Sequence, residues 1–293
     1  MSERSIEFNS QGVRCVGVLY LPEGAAPEGG HPTIVMAHGF SGVKEMLVPY
    51  AKHFRKHGFA VLTFDYRCLG GSEGEPRYHI VPADQIEDYR NAISFATELP
   101  EVDAARIGLW GTSMSGGHVI CLGHLERRIK CISAQVPLID GLETVPPEAR
   151  EALYRRLEAD RLERMKTGAV NYMPIAAEDG KSGLFPGRDS WEAMKNVEER
   201  VPTWANRITM DSVEKFIEYV PAVYLPLVAP TPFQMIVAAQ DTLTPQAVAV
   251  AAFETAAEPK RLKVLPCSHF EAYTIGFDES AGSATEWFQQ YLG

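Results

Sequence analysis

Apolar runs of strand length alternate with amphipathic stretches of helical length along most of the chain. The first two runs flank the turn Ser10-Gln11-Gly12, which predicts a hairpin. The later runs are apolar throughout, as expected of strands with both faces buried in a parallel sheet. Strands are predicted at 5–9, 13–22, 33–38, 60–65, 106–110, 129–136, 233–239 and 261–265, and helices at 45–57, 83–98, 114–125, 245–257 and 280–291.

This order of elements predicts an α/β fold. Successive strand–helix–strand units form right-handed crossovers, which place parallel strands side by side and helices on both faces of the sheet. The antiparallel hairpin adds one edge. We therefore expect a mostly parallel, twisted sheet of eight strands with helices on both faces.

The alternation stops after residue 137 and resumes near 230, so residues 138–229 are predicted to form an insertion. Charged residues are denser there than elsewhere, which is typical of a solvated segment. Three helices are predicted within it, at 147–166, 190–200 and 212–220, and the second is opened by the capping box Asp189-Ser190-Trp191-Glu192. We expect a helical cap, inserted into a sheet domain made of residues 1–137 and 230–293.

Composition and charge exclude several classes of protein. Hydrophobic residues make up 45% and charged residues 23%, values of an ordinary globular chain. The net charge of −10 repels phosphate backbones and anionic lipids, so neither nucleic acid nor a membrane is an expected partner. Five cysteines without a C-x-x-C spacing indicate neither a disulfide framework nor a zinc site. No apolar run has the length of a signal peptide or a membrane span, and a cytoplasmic location is expected.

Ser113 lies at the centre of the segment that carries the chemistry. Gly111-Thr112-Ser113-Met114-Ser115 follows a predicted buried strand and leads into a predicted helix, which is the context of a nucleophile elbow. Such a turn strains the serine backbone, and the residues two before and two after it must be small. Gly111 and Ser115 are small, although the last position departs from glycine. Taken alone, the motif also fits an ordinary glycine-rich turn.

A second loop supplies backbone donors for the same place. His38-Gly39-Phe40 follows the predicted strand 33–38, where a glycine-bearing loop can direct an amide towards the elbow. The amides of Phe40 and Met114 are therefore the candidates for an oxyanion hole.

An acid and a base follow at the ends of later strands. Asp241 comes after the strand 233–239, and His269, the one histidine beyond Asp241, comes after the next strand. The order Ser113, Asp241, His269 is the one required when nucleophile, orienting acid and base rise from successive strand ends. Asp140, beyond the sixth strand, is the alternative acid.

These segments together resemble the α/β-hydrolase fold superfamily, and in particular the bacterial esterases allied to dienelactone hydrolases, acetyl xylan esterases and X-prolyl dipeptidyl peptidases. The resemblance covers nearly all of the chain outside the insertion and rests on His38-Gly39-Phe40, the segment from Asp65-Tyr66-Arg67 to Gly74, the elbow, Asp241 and His269. It implies a catalytic triad in which Ser113 is acylated, His269 is the general base and Asp241 orients it. The sheet domain is then the catalytic domain.

The expected function is a serine esterase that cleaves small-molecule carboxylic esters or thioesters through an acyl-Ser113 intermediate, without a metal or organic cofactor. Serine at the elbow argues against the haloalkane dehalogenase and epoxide hydrolase branches, which attack with a carboxylate. A peptidase, a carbon–carbon bond hydrolase or an acyl transferase could use the same triad. A non-catalytic small-molecule receptor is the alternative of another class. The oligomeric state is open, a homo-oligomer included.

Four aromatic residues are candidates for substrate contact. Tyr66 could donate a hydrogen bond to a substrate oxygen. Trp191, Trp204 and Phe216 belong to the insertion and could line the acyl or alcohol site, although packing is the default interpretation of each.

Overall fold

The structure, a computed structural model, describes residues 3–293, so Met1 and Ser2 of the predicted segment 1–137 lie outside the described residues. The strands are β1 (Glu3–Ser10), β2 (Val13–Tyr20), β3 (His31–Ala37), β4 (Ala60–Phe64), β5 (Val102–Thr112), β6 (Ile129–Gln135), β7 (Tyr172–Met173), β8 (Ile208–Thr209), β9 (Phe233–Ala238) and β10 (Lys260–Leu265). The α-helices are α1 (Val48–Lys56), α2 (Pro82–Thr97), α3 (Met114–Leu125), α4 (Pro147–Thr167), α5 (Arg188–Arg200), α6 (Met210–Ile217), α7 (Gln246–Glu254) and α8 (Phe277–Leu292).

Eight of these strands form one sheet in the order β1-β2-β4-β3-β5-β6-β9-β10. Strand β2 is antiparallel to both β1 and β4, and the remaining neighbours are parallel. The predicted α/β fold with a mostly parallel eight-stranded sheet is therefore confirmed. The carboxyl ends of β5, β6, β9 and β10 lie side by side along one edge of the sheet.

Helices cover both faces of the sheet. On one face α1 packs against α8, where the rings of Phe54 and Phe288 lie 5.7 Å apart. The other face is covered by α2, α3 and α7. There the buried Tyr89 hydroxyl donates to the carbonyl oxygens of Val35 and Trp110, at 2.9 Å each, and fixes α2 against β3 and β5. Burial of both faces explains why the central strands are apolar throughout.

The insertion contains the three predicted helices, as α4, α5 and α6, and a short antiparallel pair formed by β7 and β8. The predicted capping box at Asp189 is wrong. Helix α5 begins at Arg188, its N-cap is Gly187 at a φ of 93°, and no side chain among residues 3–293 caps it. This left-handed conformation suits glycine and moves the helix start ahead of Asp189. Side-chain capping occurs instead at α6, where Thr209 accepts a hydrogen bond from the Ser212 amide.

The insertion packs on the sheet domain and shares its core. Leu157, Trp204 and Phe216 belong to the same buried apolar cluster as Val35 and Leu109 of the sheet. The segment 138–229 also packs on α3, where Pro221 lies against Gly117 and the Tyr219 hydroxyl lies 2.8 Å from His118 Nδ1. No helix in the described part of the chain is both long and apolar enough to span a bilayer.

Two buried carboxylates hold the loop that follows β4. Asp65 accepts hydrogen bonds from the amide and Nζ of Lys44, both at 2.7 Å, and from the Gly71 amide. Asp88 accepts from the amide, Nε and Nη2 of Arg67 at 2.7–2.9 Å. A buried carboxylate that loses its cation is strongly destabilising. The glycine-rich loop is therefore fixed at both ends beside the sheet edge.

Arg67→Ala should lower the free energy of unfolding by about 3–5 kcal/mol, because it leaves the Asp88 carboxylate buried without its cation. Urea denaturation measures the loss. Arg155→Ala is the matched control, because Arg155 pairs with Glu151 at the surface, where the side chains are 77% and 72% exposed. Its loss should cost less than about 1 kcal/mol. Equal losses in the two variants would contradict the role given to the buried pair.

Candidate active site

Ser113 occupies a strained turn between β5 and α3. Its φ of 54° and ψ of −119° lie outside the regions that non-glycine residues favour. The Ser113 amide donates to the Gln135 carbonyl oxygen, and the Ser113 carbonyl accepts from the Leu138 amide, both at 2.8 Å. The backbone is therefore the strained strand-to-helix turn that the sequence predicts, with hydrogen bonds on both sides of the serine.

Small residues around the turn allow close approach. A Cβ at Gly111 would overlap the Ser115 carbonyl oxygen, and one at Gly39 would lie 2.9 Å from the Ser113 Cβ. Ser115, the departure from glycine, is fully buried with its hydroxyl satisfied. It donates to the His38 carbonyl oxygen and lies 2.7 Å from the Tyr66 hydroxyl. The extra hydroxymethyl group is thus accommodated by hydrogen bonds.

The buried side chains of Asp241 and His269 are hydrogen-bonded to each other. The imidazole Nδ1 donates to Asp241 Oδ2 at 2.7 Å, and the residues are 7% and 4% exposed. Asp241 Oδ1 also accepts from the amides of Leu243 and Thr244 at 2.9 and 2.7 Å. Burial alone would raise the pKa of Asp241, but the His269 imidazole and the Thr244 hydrogen bonds outweigh it and hold that pKa below its usual value. The carboxylate facing the imidazole is therefore ionised.

The alternative acid lies elsewhere. Asp140 accepts a hydrogen bond from the Leu142 amide at 2.9 Å, within its own turn. The structure thus brings Asp241, and not Asp140, to the His269 imidazole.

The segments that carry Ser113 and His269 meet at the carboxyl edge of the sheet. The hydroxyl of Thr112, the residue before Ser113, lies 2.7 Å from the Tyr273 hydroxyl. The Tyr273 ring centroid is in turn 6.1 Å from that of the His269 imidazole. The three predicted triad residues therefore follow the parallel strands β5, β9 and β10, whose carboxyl ends lie at the same edge of the sheet.

The two candidate oxyanion donors belong to buried residues and make no hydrogen bond within the described part of the chain. Phe40 is 9% and Met114 is 1% exposed, and neither amide has a hydrogen-bond acceptor within residues 3–293. Buried amides without a partner are rare in folded proteins, so they mark a place for an acceptor. Met114 is also the first residue of α3, where the helix dipole favours negative charge. Both amides can therefore stabilise an anionic oxygen above Ser113.

Tyr66 is fully buried with its hydroxyl against Ser115. Burial raises the pKa of Tyr66 well above its usual value, so the phenol is neutral. Its position places the ring under the elbow, where it contacts the His38 ring at 4.9 Å between centroids.

The three tentative substrate residues of the insertion differ in position. Trp204 is 5% exposed, and its indole N–H donates to the Ser41 carbonyl oxygen at 2.6 Å. The Phe216 ring packs on the Phe40 ring, with centroids 4.8 Å apart. Trp191 lies half-buried in α5. Two of the three therefore contact the loop that carries the Phe40 amide.

Thr244 is a further residue of the site that was not predicted from the sequence. Its hydroxyl donates to Asp241 Oδ2 at 2.8 Å and lies 3.3 Å from His269 Nδ1. The spacing Asp241-Thr242-Leu243-Thr244 is a signal for it, because an aspartate often bonds the backbone two or three residues on. The Trp204–Ser41 hydrogen bond joins residues 163 apart, and no local pattern indicates it.

The chain belongs to the alpha/beta hydrolase family, whose sequence profile matches residues 34–275. It is 32% identical over 269 residues to the thiohydrolase aneE of Aspergillus aculeatus, which covers 88% of this chain and 83% of that protein. It is 30% identical over 237 residues to the polyketide transferase grgF of a Penicillium species, covering 80% of this chain and 79% of the relative.

Two solved structures share the whole fold. The crystal structure of the alpha/beta hydrolase GrgF covers 100% of this chain and 99% of that one, with a TM-score of 0.86 and 26% identity. The structure of DcsB in complex with its substrate analogue covers both chains completely, with a TM-score of 0.89 and 27% identity. The expected superfamily is thereby confirmed, and a hydrolase is supported.

Proposed function

We propose that the protein is a serine hydrolase that cleaves carboxylic esters or thioesters through an acyl-Ser113 intermediate. The observation that carries the proposal is the elbow itself, where a strained Ser113 lies at the start of α3 and the amides of the buried residues Phe40 and Met114 have no acceptor among residues 3–293. A backbone strained in this way persists only where the surrounding structure holds it, and it clusters at functional sites.

In this mechanism Ser113 Oγ attacks the carbonyl carbon while the His269 imidazole removes its proton. The Asp241 carboxylate at Nδ1 fixes the imidazole tautomer and stabilises the imidazolium. The amides of Phe40 and Met114 stabilise the oxygen anion, and the imidazolium returns its proton to the leaving alcohol or thiol. Water activated by His269 then attacks the acyl group, which releases the carboxylic acid and restores Ser113. No metal or organic cofactor is needed in these steps.

The relatives support a thioester as the acyl donor. One is described as a thiohydrolase and another as a polyketide transferase. The first name describes hydrolysis, and the second adds transfer of the acyl group to an acceptor as another candidate function for this chain. Hydrolysis and transfer share the acyl-Ser113 intermediate and differ only in whether water or an alcohol attacks it. Product analysis with and without an added alcohol separates them, because transfer yields a new ester in place of the free acid.

We propose that the insertion sets substrate choice. It leaves the sheet at the carboxyl end of β6, where the Leu138 amide donates to the Ser113 carbonyl oxygen, and it returns to the amino end of β9. Phe216 contacts Phe40, which carries a candidate oxyanion donor, and Trp191 is half-buried in α5. Small ester or thioester molecules are the proposed ligands beside Ser113.

Ser113→Ala should abolish covalent labelling by a fluorophosphonate and lower turnover of short p-nitrophenyl esters and N-acetylcysteamine thioesters by at least about 10⁴-fold. Turnover falls because the variant lacks the nucleophile, and the surviving oxyanion donors account for whatever turnover remains. Ser133→Ala is the control, because Ser133 is a fully buried serine on β6 that hydrogen-bonds Gln234. It should keep both labelling and turnover. Wild-type turnover by the Ser113 variant would overturn the proposed function.

Asp241→Asn should reduce kcat by roughly 10⁴-fold, because the imidazole loses control of its tautomer and its countercharge. Asp140→Asn is the matched comparison and should be mild, since Asp140 bonds only its own turn among the described residues. Steady-state kinetics on both purified variants, with circular dichroism to verify folding, measures the difference. If Asp140→Asn proved the more damaging change, the acid would be on the wrong strand.

A further inference from the structure

The loop that carries the Phe40 amide is held by hydrogen bonds on two of its backbone carbonyls. The Ser115 hydroxyl, in the first turn of α3, donates to the His38 carbonyl oxygen. The Trp204 indole N–H, from the insertion, donates to the Ser41 carbonyl oxygen at 2.6 Å. One bond lies two residues before Phe40 and the other lies one residue after it. The loop is thus fixed from the sheet domain on one side and from the insertion on the other.

The conformation between these two bonds is not one that the loop sequence favours by itself. Ser41 has a φ of 53°, in the left-handed region that costs a residue with a Cβ free energy. The Gly42 amide closes the turn on the Gly39 carbonyl oxygen at 3.0 Å. A strained loop of this kind keeps its geometry only when neighbouring groups hold it.

All four residues of the two hydrogen bonds are removed from water. Ser115 is fully buried, His38 and Ser41 are each 1% exposed, and Trp204 is 5% exposed. A hydrogen bond in such surroundings is stronger than one in water, and loss of its donor leaves a buried carbonyl unpaired. The two bonds are therefore well placed to fix the loop position.

We propose that Ser115 and Trp204 are positioning residues that set the Phe40 amide at the distance and angle required by the reacting oxygen anion. This inference rests on the proposed function. Oxyanion donors must lie within about 2.7–3.1 Å of the place where charge develops, and a displacement of about 1 Å costs on the order of 10²-fold in rate. The departure from glycine at position 115 then has a function, because glycine could not bond His38.

This role differs from substrate contact in what it does to kinetics. A side chain that only lines the acyl site changes KM and the ranking of substrates. A residue that positions an oxyanion donor acts on the transition state, so its loss lowers kcat by a similar factor for every substrate and leaves KM little changed.

Trp204→Phe removes the indole N–H and keeps most of the buried ring. It should lower kcat for acetyl and octanoyl p-nitrophenyl esters alike, by about 10- to 100-fold, with KM little changed. Trp287→Phe is the matched control, because Trp287 is 3% exposed and donates to the Ile132 carbonyl oxygen at 3.0 Å in the core beneath α8. It loses an equivalent bond and should keep the wild-type kcat.

Ser115→Ala tests the second bond independently of the first. It should lower kcat by a similar factor for both esters, with KM little changed. Ser133 is another fully buried serine, and Ser133→Ala should leave kcat unchanged. The affinity for a trifluoromethyl ketone inhibitor is a second measurement, and a loss of stability alone does not change it. The adduct of this inhibitor with Ser113 carries an anionic oxygen, so its affinity should fall by the same factor as kcat/KM in both variants.

Wild-type kcat and inhibitor affinity in a folded Ser115→Ala or Trp204→Phe variant would overturn the inference for that residue. A change confined to KM or to substrate ranking would assign Trp204 to substrate contact instead and overturn its positioning role. If Trp204→Phe does not fold, Ser115→Ala decides. Failure of the wild-type protein to turn over any ester or thioester would overturn the proposed function itself, which is a different result from an active wild type with unaffected variants.

Discussion

The close approach of β5 to α3 is the constraint on which the rest of the site depends. Gly111 has no room for a Cβ, so the chain turns sharply and Ser113 takes a backbone conformation that serine avoids. Two hydrogen bonds offset the conformational cost. The Ser113 amide donates to the carbonyl oxygen of Gln135 at the end of β6, and the Ser113 carbonyl oxygen accepts from the Leu138 amide just beyond that strand. The same turn frees the Met114 amide at the start of a helix. The proposed nucleophile and one candidate oxyanion donor thus depend on the same steric constraint.

Most of the fold could be predicted from the sequence, because the signals for strands and helices are local and periodic. The eight sheet strands and the three helices of the insertion are marked by apolar runs and amphipathic spacing, and the order Ser113, Asp241, His269 follows from parallel strands whose ends share an edge. The capping box at Asp189 was wrong because a left-handed Gly187 begins the helix earlier. The hydrogen bonds of Ser115 and Trp204 with the loop at 38–42 were not predictable, because they join distant segments whose contact exists only in three dimensions.

The insertion shares the buried core of the sheet domain. Trp204 and Phe216 pack in the cluster that also contains sheet residues, and both of them contact the loop that carries the Phe40 amide. In the proposed mechanism the insertion also acts on the transition state, through the hydrogen bond from the Trp204 indole to the Ser41 carbonyl oxygen.

The proposed mechanism requires that the acyl group of the substrate be bonded covalently to Ser113 Oγ during turnover. This adduct can be sought by quenching the protein with acid during turnover of an N-acetylcysteamine thioester, followed by intact mass measurement and peptide mapping. We expect an increase in mass equal to the acyl group, located on the peptide that contains Ser113 and absent once substrate is exhausted. Two results would contradict the mechanism. The first is turnover without an adduct in the same quench, while substrate remains saturating and acyl-enzyme breakdown is rate-limiting. The second is an adduct on a residue other than Ser113.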